Sequence, residues 1–434
     1  MKISHVICST NDGIIAQYVN SPYEMNSLKL LFSMTKSLTS LAIGIAIDLG
    51  YLHIDDKITK FFNEESPLNA HQNLEKISIR HLLTMSSGIH DNTYSELFDK
   101  NNWVDAFLSQ EFQHEPGTFY RYSTHGSHML SAIITKSTSL SLEDFLNKYL
   151  FYPMEIYEAQ WELSPEKLIA GGMGLSLYPY SLVKISQLLL NYGVFNGKQL
   201  ISKEYLEMAT TQQIVKQDEV EDKNNIFSGT GYGFQIHICK DNHYRFDGAF
   251  GQLCLICPSK NISVIIFSQY SKIENLLSLI YKHLLSGKYI FNSYNEQKAY
   301  RVNENMFECN IPLETYNLYK NDLKIKSIKF AKIFNEYHVL FNHENYCNTI
   351  NFSSKQATSG RIKFIKDLQN HIQKYVCYTT FDKKSLNLEL FLIETPYIVI
   401  YKFYFLKNKI KIEFSINVSF TIKNEIIEGF LQPR

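Results

Sequence analysis

The sequence has little of what marks secreted, membrane-spanning or nucleic-acid-binding proteins. Its seven cysteines are odd in number and spread over 434 residues, which excludes a dense disulfide framework. Lys plus Arg and Asp plus Glu both total 43, so no basic excess points to nucleic acid. The apolar stretch after Ser40 is too short to span a bilayer and contains Asp48. With 45% hydrophobic and 20% charged residues, the composition is that of an ordinary globular protein.

The first residues also lack the apolar core of a secretory signal peptide. The segment MKISHVICSTNDG has one lysine and no apolar run of the needed length. We therefore expect a cytoplasmic, reducing location and no membrane span. The sequence does not indicate an oligomeric state.

Two pairs of residues could suggest a metal site. Cys254 and Cys257 form a C-x-x-C pair in a strand-like run, where residues three apart point to opposite faces of the sheet. His125 and His128 have the spacing of one helix face, but no third ligand of matching type is evident nearby. We therefore predict no metal and no cofactor.

The order of predicted elements indicates an α+β fold. Two strand-like runs flank Asn11-Asp12-Gly13, which is typical of a hairpin. A helix is predicted from Ser33 to Leu49, and because it is apolar on nearly every side it should be buried between layers. Strand-like runs follow at 232–238, 244–258 and 262–269. Strands at both ends of a helical middle predict one antiparallel sheet flanked by helices.

The pattern changes after about residue 290. The run KIKIEFSINVSFTI at 409–422 alternates polar and apolar residues, which is typical of a half-buried strand. We predict an α+β domain over 1–290, a polar linker over 291–310 and a separate antiparallel β-domain over 311–434.

The residues that carry chemistry begin with Ser33-Met34-Thr35-Lys36, an S-x-x-K motif. A serine hydroxyl is a weak nucleophile that needs a nearby base. Residues three apart on a helix share a face, with Cβ atoms about 5–6 Å apart, so Lys36 can reach Ser33. The same spacing recurs from Ser164 and from Ser181, but only Ser33 opens a long apolar helix after a strand pair. This context makes Ser33 the candidate nucleophile.

The segment LFSMTKSLTSLAIGIAIDLGYLHIDDKITKFF, which contains this motif, resembles the serine β-lactamase-like hydrolases. That group contains class C β-lactamases, D-stereospecific peptidases and related esterases and amidases. Other landmarks of the group follow in its order, at IRHLLTMSSGI (79–89), EPGTFYRYSTHGSHMLSAII (115–134), GGMGLSLYPYSLVKISQLLLNYGVFNGKQLIS (171–202), and YGFQI with YRFDGAFGQLCLICP (232–258). The resemblance covers about residues 3–285.

The resemblance implies a role for several residues. Ser33 would be the nucleophile and Lys36 its partner. Tyr122 takes the place of the second-motif tyrosine, a general base toward the serine and later an acid toward the leaving group. Backbone N–H groups of Ser33 and Ala249 would form the oxyanion hole, and Gly248 would let the substrate approach closely.

The sequence departs from the family pattern on the substrate side. Thr124 stands where the second motif, Tyr-x-Asn, has asparagine, which changes how a substrate amide would be held. Phe246-Asp247-Gly248 stands where the third motif is Lys-Thr-Gly or His-x-Gly. A cation or imidazole is therefore missing at Phe246. Thr124 and Asp247, with Gly248, remain the candidate substrate-binding residues.

We expect a serine hydrolase that forms an acyl-enzyme at Ser33 with a small-molecule or peptide substrate, an ester, an amide or a D-amino-acid peptide. The altered motifs leave open an alternative, a non-catalytic ligand-binding or sensing protein on the same fold. The C-terminal segment LNLELFLIETPYIVIYKFYF resembles the lipocalin-like β-domains appended to some of these hydrolases. Such a domain could pack against the hydrolase or shape substrate access.

Overall fold

Two units make up the chain. The computed structural model describes residues 3–65, 72–92, 94–217, 226–286, 311–334, 336–353, 355–381 and 385–433. One unit comprises Met1–Val19 and Leu28–Glu296, and the other comprises Asn20–Ser27 and Gln297–Arg434. The predicted linker over 291–310 lies outside the described residues.

The first unit is built on an antiparallel sheet of eight strands. The strands of this unit are β1 (Ile3–Ser9), β2 (Ile14–Val19), β3 (Lys29–Leu30), β4 (Ala159–Gln160), β5 (Ser176–Leu177), β6 (Val194–Phe195), β7 (Lys198–Gln199), β8 (Ile214–Val215), β9 (Gly231–Tyr232), β10 (His237–Ile238), β11 (Tyr244–Gly248), β12 (Gln252–Cys257) and β13 (Ile262–Ser268). The order in the main sheet is β2-β1-β13-β12-β11-β10-β9-β8, and β3-β5-β4 form a small sheet beside it. The first strand of the chain thus pairs with the last strand of the unit, as strands at both ends of the sequence pattern predict.

Helices cover this sheet. They are α1 (Met34–Asp48), α2 (Ile79–Leu83), α3 (Tyr94–Phe98), α4 (Trp103–Leu108), α5 (Thr124–Thr138), α6 (Leu142–Leu146), α7 (Pro179–Leu190), α8 (Lys203–Ala209) and α9 (Ile273–Leu279). Helix α1 is buried from Met34 to Ala46, which confirms the prediction from its all-round apolar sequence. It ends before Gly50, whose φ of 76° is the left-handed conformation that glycine adopts easily. Among the described residues, no helix combines the length and apolarity needed to cross a membrane.

The run at 232–238 is more broken than its sequence predicts. Its two ends form β9 and β10, but Gly233 N–H donates to the Ile236 carbonyl at 2.8 Å, which closes a turn between them. Gln235 within this turn has a φ of 58°. The alternation of side chains along the sequence does not predict such a turn. The turn depends on contacts of the Gln235 side chain with residues far away in the sequence.

The second unit is a nearly closed β-barrel of ten antiparallel strands. They are β14 (Thr315–Leu318), β15 (Ser327–Ile333), β16 (Glu336–Asn342), β17 (Cys347–Phe352), β18 (Thr358–Ile365), β19 (Asn370–Phe381), β20 (Ser385–Leu392), β21 (Ile398–Leu406), β22 (Lys409–Ile416) and β23 (Glu425–Leu431). Their order is β17-β16-β15-β14-β23-β22-β21-β20-β19-β18. At the open seam, Asn348 of β17 bonds both the N–H and the carbonyl of Lys363 in β18. The separate antiparallel β-fold predicted for this region is confirmed.

Candidate active site

Ser33 lies on a sharp turn between β3 and α1. Phe32, just before it, has a φ of 50°, which an L-residue adopts only when its surroundings impose it. The Phe32 ring packs edge-to-face against Phe250, with ring centroids 5.4 Å apart. Because Phe250 lies in the turn that follows β11, this contact brings the end of β11 close to Ser33. The turn presents the Ser33 hydroxyl at the start of the helix, and the N–H groups of Met34, Thr35 and Lys36 donate to the carbonyls of Leu31, Phe32 and Ser33.

Lys36 lies one helical turn after Ser33 and faces it. Its Nζ donates to Ser33 Oγ at 3.1 Å and to the Gly172 carbonyl at 2.6 Å. The side chain is only 2% exposed. The spacing of three residues on α1 therefore brings this amine within hydrogen-bond reach of the hydroxyl, as the motif predicts.

Tyr122 completes a three-residue cluster. Its hydroxyl is hydrogen-bonded to that of Ser33, and its ring centroid is 5.0 Å from Lys36 Nζ. Burial raises the pKa of Tyr122 well above its ordinary value, and the negative charge of Asp247 raises it further, against the opposing effect of the Ser33 hydrogen bond. The phenol therefore keeps its proton at neutral pH. It is placed to donate that proton or pass it on, and it does not rest as a phenolate.

The end of β11 closes the other side of the cluster. A Cβ on Gly248 would lie 2.3 Å from the Leu31 carbonyl oxygen, so only glycine allows this close approach to the chain before Ser33. Arg245 Nε donates to both oxygens of Asp247, at 3.0 and 2.9 Å, and so fixes the carboxylate. Phe246, on the opposite face of the strand, is fully buried. Ala249 follows Gly248 at the start of the turn.

Thr124 lies on the lysine side of the cluster. It is the buried first residue of α5, and a Cβ on Gly172 would come within 2.8 Å of its Cγ2 and carbonyl oxygen. The Gly172 carbonyl accepts the hydrogen bond from Lys36. Thr124 therefore packs against the peptide that holds the lysine amine. The structure thus brings all the predicted site residues to one region of the first unit.

Sequence reasoning missed Gln235, which supports this region from behind. Its Nε2 donates to the Leu82 and Leu83 carbonyls at 2.7 and 3.1 Å, and its Oε1 accepts from Ser127 Oγ at 2.6 Å. Its own carbonyl accepts from Ser37 Oγ, next to Lys36, at 2.7 Å. One buried glutamine therefore links α1, α2 and α5. No motif marks it, because its partners are backbone carbonyls and hydroxyls.

The two histidines considered as metal ligands are held by other contacts. His128 Nε2 lies 2.8 Å from Glu166 Oε1, and both histidine rings pack edge-to-face on Trp103. Burial favours neutral Glu166, but the hydrogen bond and charge of His128 lower the pKa of this carboxyl to about 2. Burial lowers the pKa of His125 to about 3, assisted by nearby positive charge. Within the described ranges, no group of three or more His, Cys, Asp or Glu side chains has a metal-binding arrangement.

The other two S-x-x-K segments do not form such a cluster. Lys184 Nζ donates to the Met154 and Glu155 carbonyls, at 2.9 and 3.1 Å, and so is engaged away from Ser181. Ser164 Oγ bonds the backbone of Leu168. Helix context in the sequence separates Ser33 from Ser164 and Ser181, and the hydrogen bonds of the three segments differ in the same way.

The antiparallel sheet with its covering helices, and a serine, lysine and tyrosine in mutual contact, define a β-lactamase-type fold. A family model described as Beta-lactamase matches residues 6–278, which is more than half of the chain. The chain belongs to the Beta-lactamase family, and the predicted family resemblance is confirmed. Membership supports a hydrolase of the serine type in general.

The individual relatives resemble this chain either over a short part of its length or at low sequence identity. Penicillin-binding protein 4* of Bacillus subtilis is 30% identical over 34% of this chain and 34% of its own length, so the chain spans only a third of that relative. A solved octameric penicillin-binding protein homologue from Pyrococcus abyssi has 18% identity and a TM-score of 0.52, and covers 98% of this chain and 96% of its own. EstCE1, a hydrolase with promiscuous acyltransferase activity, has 16% identity and a TM-score of 0.52, over 64% of this chain and 92% of its own. At such identities the structural likeness shows the fold alone.

Proposed function

We propose that this protein is a serine hydrolase that forms an acyl-enzyme at Ser33 with an ester, an amide or a D-amino-acid peptide. The observation that carries the proposal is the contact of the Ser33 hydroxyl with both Lys36 Nζ and the Tyr122 hydroxyl. A weak nucleophile, an amine that can take its proton and a phenol that can return one are the parts that acyl transfer requires.

In the acylation step, the Ser33 oxygen attacks the substrate carbonyl and its proton passes to Lys36. Lys36 is the candidate base because its Nζ lies 3.1 Å from Ser33 Oγ, within reach of the hydroxyl proton. The bond between the acyl carbon and Ser33 Oγ forms first, which gives a tetrahedral intermediate, and the bond to the leaving group then breaks. Tyr122 gives its proton to the leaving group and is reprotonated by Lys36, so the proton lost by Ser33 is recovered in the product. Water then attacks the acyl carbon, and the same proton transfers in reverse order release the acyl group from Ser33.

The negative charge of the tetrahedral intermediate needs preorganised donors. The N–H groups of Ser33 and Ala249 are suited to this role, because the Phe32–Phe250 contact and the close approach of Gly248 to Leu31 hold the two turns together. The substrate side carries the Asp247 carboxylate and no cation at Phe246. A substrate carboxylate would therefore meet the Asp247 carboxylate, whose cationic partner Arg245 is already engaged, which favours substrates without a carboxylate near the reacting carbonyl.

The test is covalent labelling of the purified protein. Incubation with a fluorophosphonate probe should add the mass of one probe less HF to wild type, on the peptide that contains Ser33, because the serine oxygen displaces fluoride. Ser33→Ala should abolish labelling and turnover of acyl esters, because the probe and the substrate need the same oxygen. The matched control is Ser181→Ala, which removes a hydroxyl with the same S-x-x-K spacing and should leave both signals at wild-type level.

Two results would contradict the proposal. Ester turnover by Ser33→Ala equal to that of wild type would show that another residue is the nucleophile. A folded wild type that neither the probe nor a panel of acyl esters and amides labels would favour a binding protein on the same fold.

A further inference from the structure

The second unit contains a cavity of about 470 Å³ at one end of its barrel. The cavity lies among the loops that join β14 to β15, β16 to β17, β18 to β19 and β22 to β23. Small-molecule sites have volumes of about 300–1,000 Å³ and recur at the mouths of β-barrels. Further inside, packed rings fill the barrel, as Phe330 and Phe403 show with centroids 5.2 Å apart. The space is therefore a pocket with a floor and does not continue as a channel.

Tyr401 lines this pocket and is only 7% exposed. Its ring packs against Phe341 and Phe414, with centroids 4.7 and 5.3 Å away. Its hydroxyl makes no hydrogen bond to any residue in the described part of the chain. Burial raises the pKa of this phenol, so it remains a hydrogen-bond donor at neutral pH. This hydroxyl can therefore donate a hydrogen bond to a molecule that occupies the pocket.

Flat and apolar groups form the walls. His343 and Tyr346 stack with centroids 4.2 Å apart and ring planes within 13°, and Lys363 Nζ lies 5.0 Å from the centre of the Tyr346 ring. The buried side chains of Ile325 and Phe364 add apolar surface. These walls suit a flat ligand, because aromatic faces prefer offset or edge contacts with another ring.

The rim is held by hydrogen bonds before any ligand arrives. The Glu425 carboxylate accepts from the N–H groups of Asp322 and Leu323, each at 3.1 Å. Asn348 makes two bonds to the backbone of Lys363, at 2.9 and 2.8 Å. A rim fixed in this way loses little conformational freedom when a ligand binds.

The charges of the lining residues cancel. Asp322, Glu344 and the rim residue Glu425 contribute three negative charges, and Lys324, Lys363 and Lys326, which pairs with Glu344, contribute three positive charges. Burial lowers the pKa of His343, so this imidazole is neutral at pH 7. The pocket therefore has no net charge with which to select an ion.

We propose that this pocket is a ligand-binding site for a small, flat, uncharged aromatic molecule with a carbonyl-type oxygen, which accepts a hydrogen bond from Tyr401. The site belongs to the second unit alone and does not depend on the reaction proposed for Ser33.

The probe for the test is 6-propionyl-2-dimethylaminonaphthalene, a neutral naphthyl ketone whose emission shifts to the blue in apolar surroundings. The full-length protein should bind it saturably at one site with a blue shift. Tyr401→Phe should raise the Kd roughly 3- to 10-fold, the effect of one hydrogen bond. Thr421→Trp, which places an indole in the pocket from an exposed loop, should abolish the saturable signal. The matched control is Tyr404→Phe on the same strand, whose hydroxyl bonds Glu413 at 2.9 Å outside the pocket. It should bind as wild type does.

Labelling Ser33 beforehand with the fluorophosphonate probe should leave binding of the ketone unchanged. The proposal fails if wild type shows no saturable binding, or if both pocket variants, folded by circular dichroism, bind as tightly as wild type. It also fails if the labelled protein loses the signal, because the ketone then occupies the cleft at Ser33.

Discussion

At the scale of single residues, the protonation of Tyr122 decides the order of events in the proposed reaction. A phenol whose pKa lies above its ordinary value of 10.0 does not withdraw the serine proton at neutral pH by itself. In the proposed reaction we therefore expect Lys36 to take the serine proton first and Tyr122 to donate a proton to the leaving group. This refines the expectation from family resemblance, in which Tyr122 is first of all a base.

Replacement of Tyr122 by phenylalanine tests this role. Tyr122→Phe keeps the ring beside Lys36 and removes only the hydroxyl, so we expect kcat to fall by roughly 10²- to 10⁴-fold with little change in KM. Steady-state kinetics on an acyl ester give both values. Because the phenol stays protonated, wild-type activity should not decline below pH 10 through ionisation of Tyr122. A variant with wild-type kcat would make Tyr122 a packing residue.

Gln235 allows a separate test of stability. Gln235→Ala leaves the Leu82 and Leu83 carbonyls without their side-chain donor and Ser127 Oγ without its acceptor, so we expect a loss of about 2–4 kcal/mol. Gln235→Gly loses the same hydrogen bonds but relieves the backbone, and should be more stable than Gln235→Ala by about 1 kcal/mol. Urea unfolding measures both. An alanine variant at least as stable as the glycine variant would contradict strain at this position.

At the scale of secondary structure, α5 combines a site residue with buried ionisable groups. Ser123 begins this helix by accepting a hydrogen bond from Gly126 N–H at 3.0 Å, which fixes the backbone directly after Tyr122. Farther along, His125 and His128 face Trp103. The stability of the fold around this helix therefore depends on the protonation of His125, the residue after Thr124.

His125 makes this dependence measurable. Its pKa falls from 6.5 in the unfolded chain to about 3 in the fold, so the unfolded chain binds the extra proton between these values. The stabilising contribution is complete above pH 6.5 and is lost as pH falls toward 3, with a slope of up to about 1.4 kcal/mol per pH unit. His125→Gln should be less stable at pH 7 yet flatter over this range in urea unfolding.

The comparison of wild type with His125→Gln in urea unfolding is sharpest between pH 6.5 and 5. Glu166 contributes only between its ordinary pKa of 4.5 and about 2, so it adds no slope there. Equal slopes for wild type and His125→Gln in that interval would show that His125 is not a buried neutral imidazole.

At the scale of the whole molecule, the division into units does not follow chain order. Asn20–Ser27 belongs to the second unit, although the chain on both sides of it belongs to the first. Within the second unit, Glu24 pairs with Lys374 at 3.0 Å, and the Tyr23 ring, only 4% exposed, packs against Phe391. Tyr23, in the segment that leads toward β3 and Ser33, is thus buried against a residue of the β-barrel unit.

A fragment of residues 1–290 separates the two contributions. It contains every strand of the main sheet, including the pair of β1 with β13, so we expect it to fold and to be labelled at Ser33. Without Phe391 and Lys374, the segment around Tyr23 loses its packing, and chymotrypsin should cut it at least ~10-fold faster than in the full chain. Mass spectrometry of the digest locates the cut. A fragment that is as resistant there as the full chain would show that the first unit protects this segment by itself.

The sequence by itself determined what depends on neighbours along the chain. A spacing of three residues on a helix is enough to bring Lys36 to Ser33, and an all-round apolar run is enough to bury α1. Alternation predicts a β-domain, although the alternating run at 409–422 forms a strand only as far as Ile416. Tyr122, Asp247 and Thr124 were identified only through family resemblance, because no local rule joins segments so far apart.

Only the tertiary structure decided which groups meet across the chain. It showed that the Gly172 carbonyl holds Lys36, that Gln235 joins three helices through backbone carbonyls, and that Arg245 fixes Asp247. It also showed that Asn20–Ser27 belongs to the β-barrel unit and that Tyr401 lines a pocket. The physical reason is common to these cases. Hydrogen bonds to backbone carbonyls and the fit of loops around a cavity depend on distances in space, and residue types along the sequence do not specify those distances.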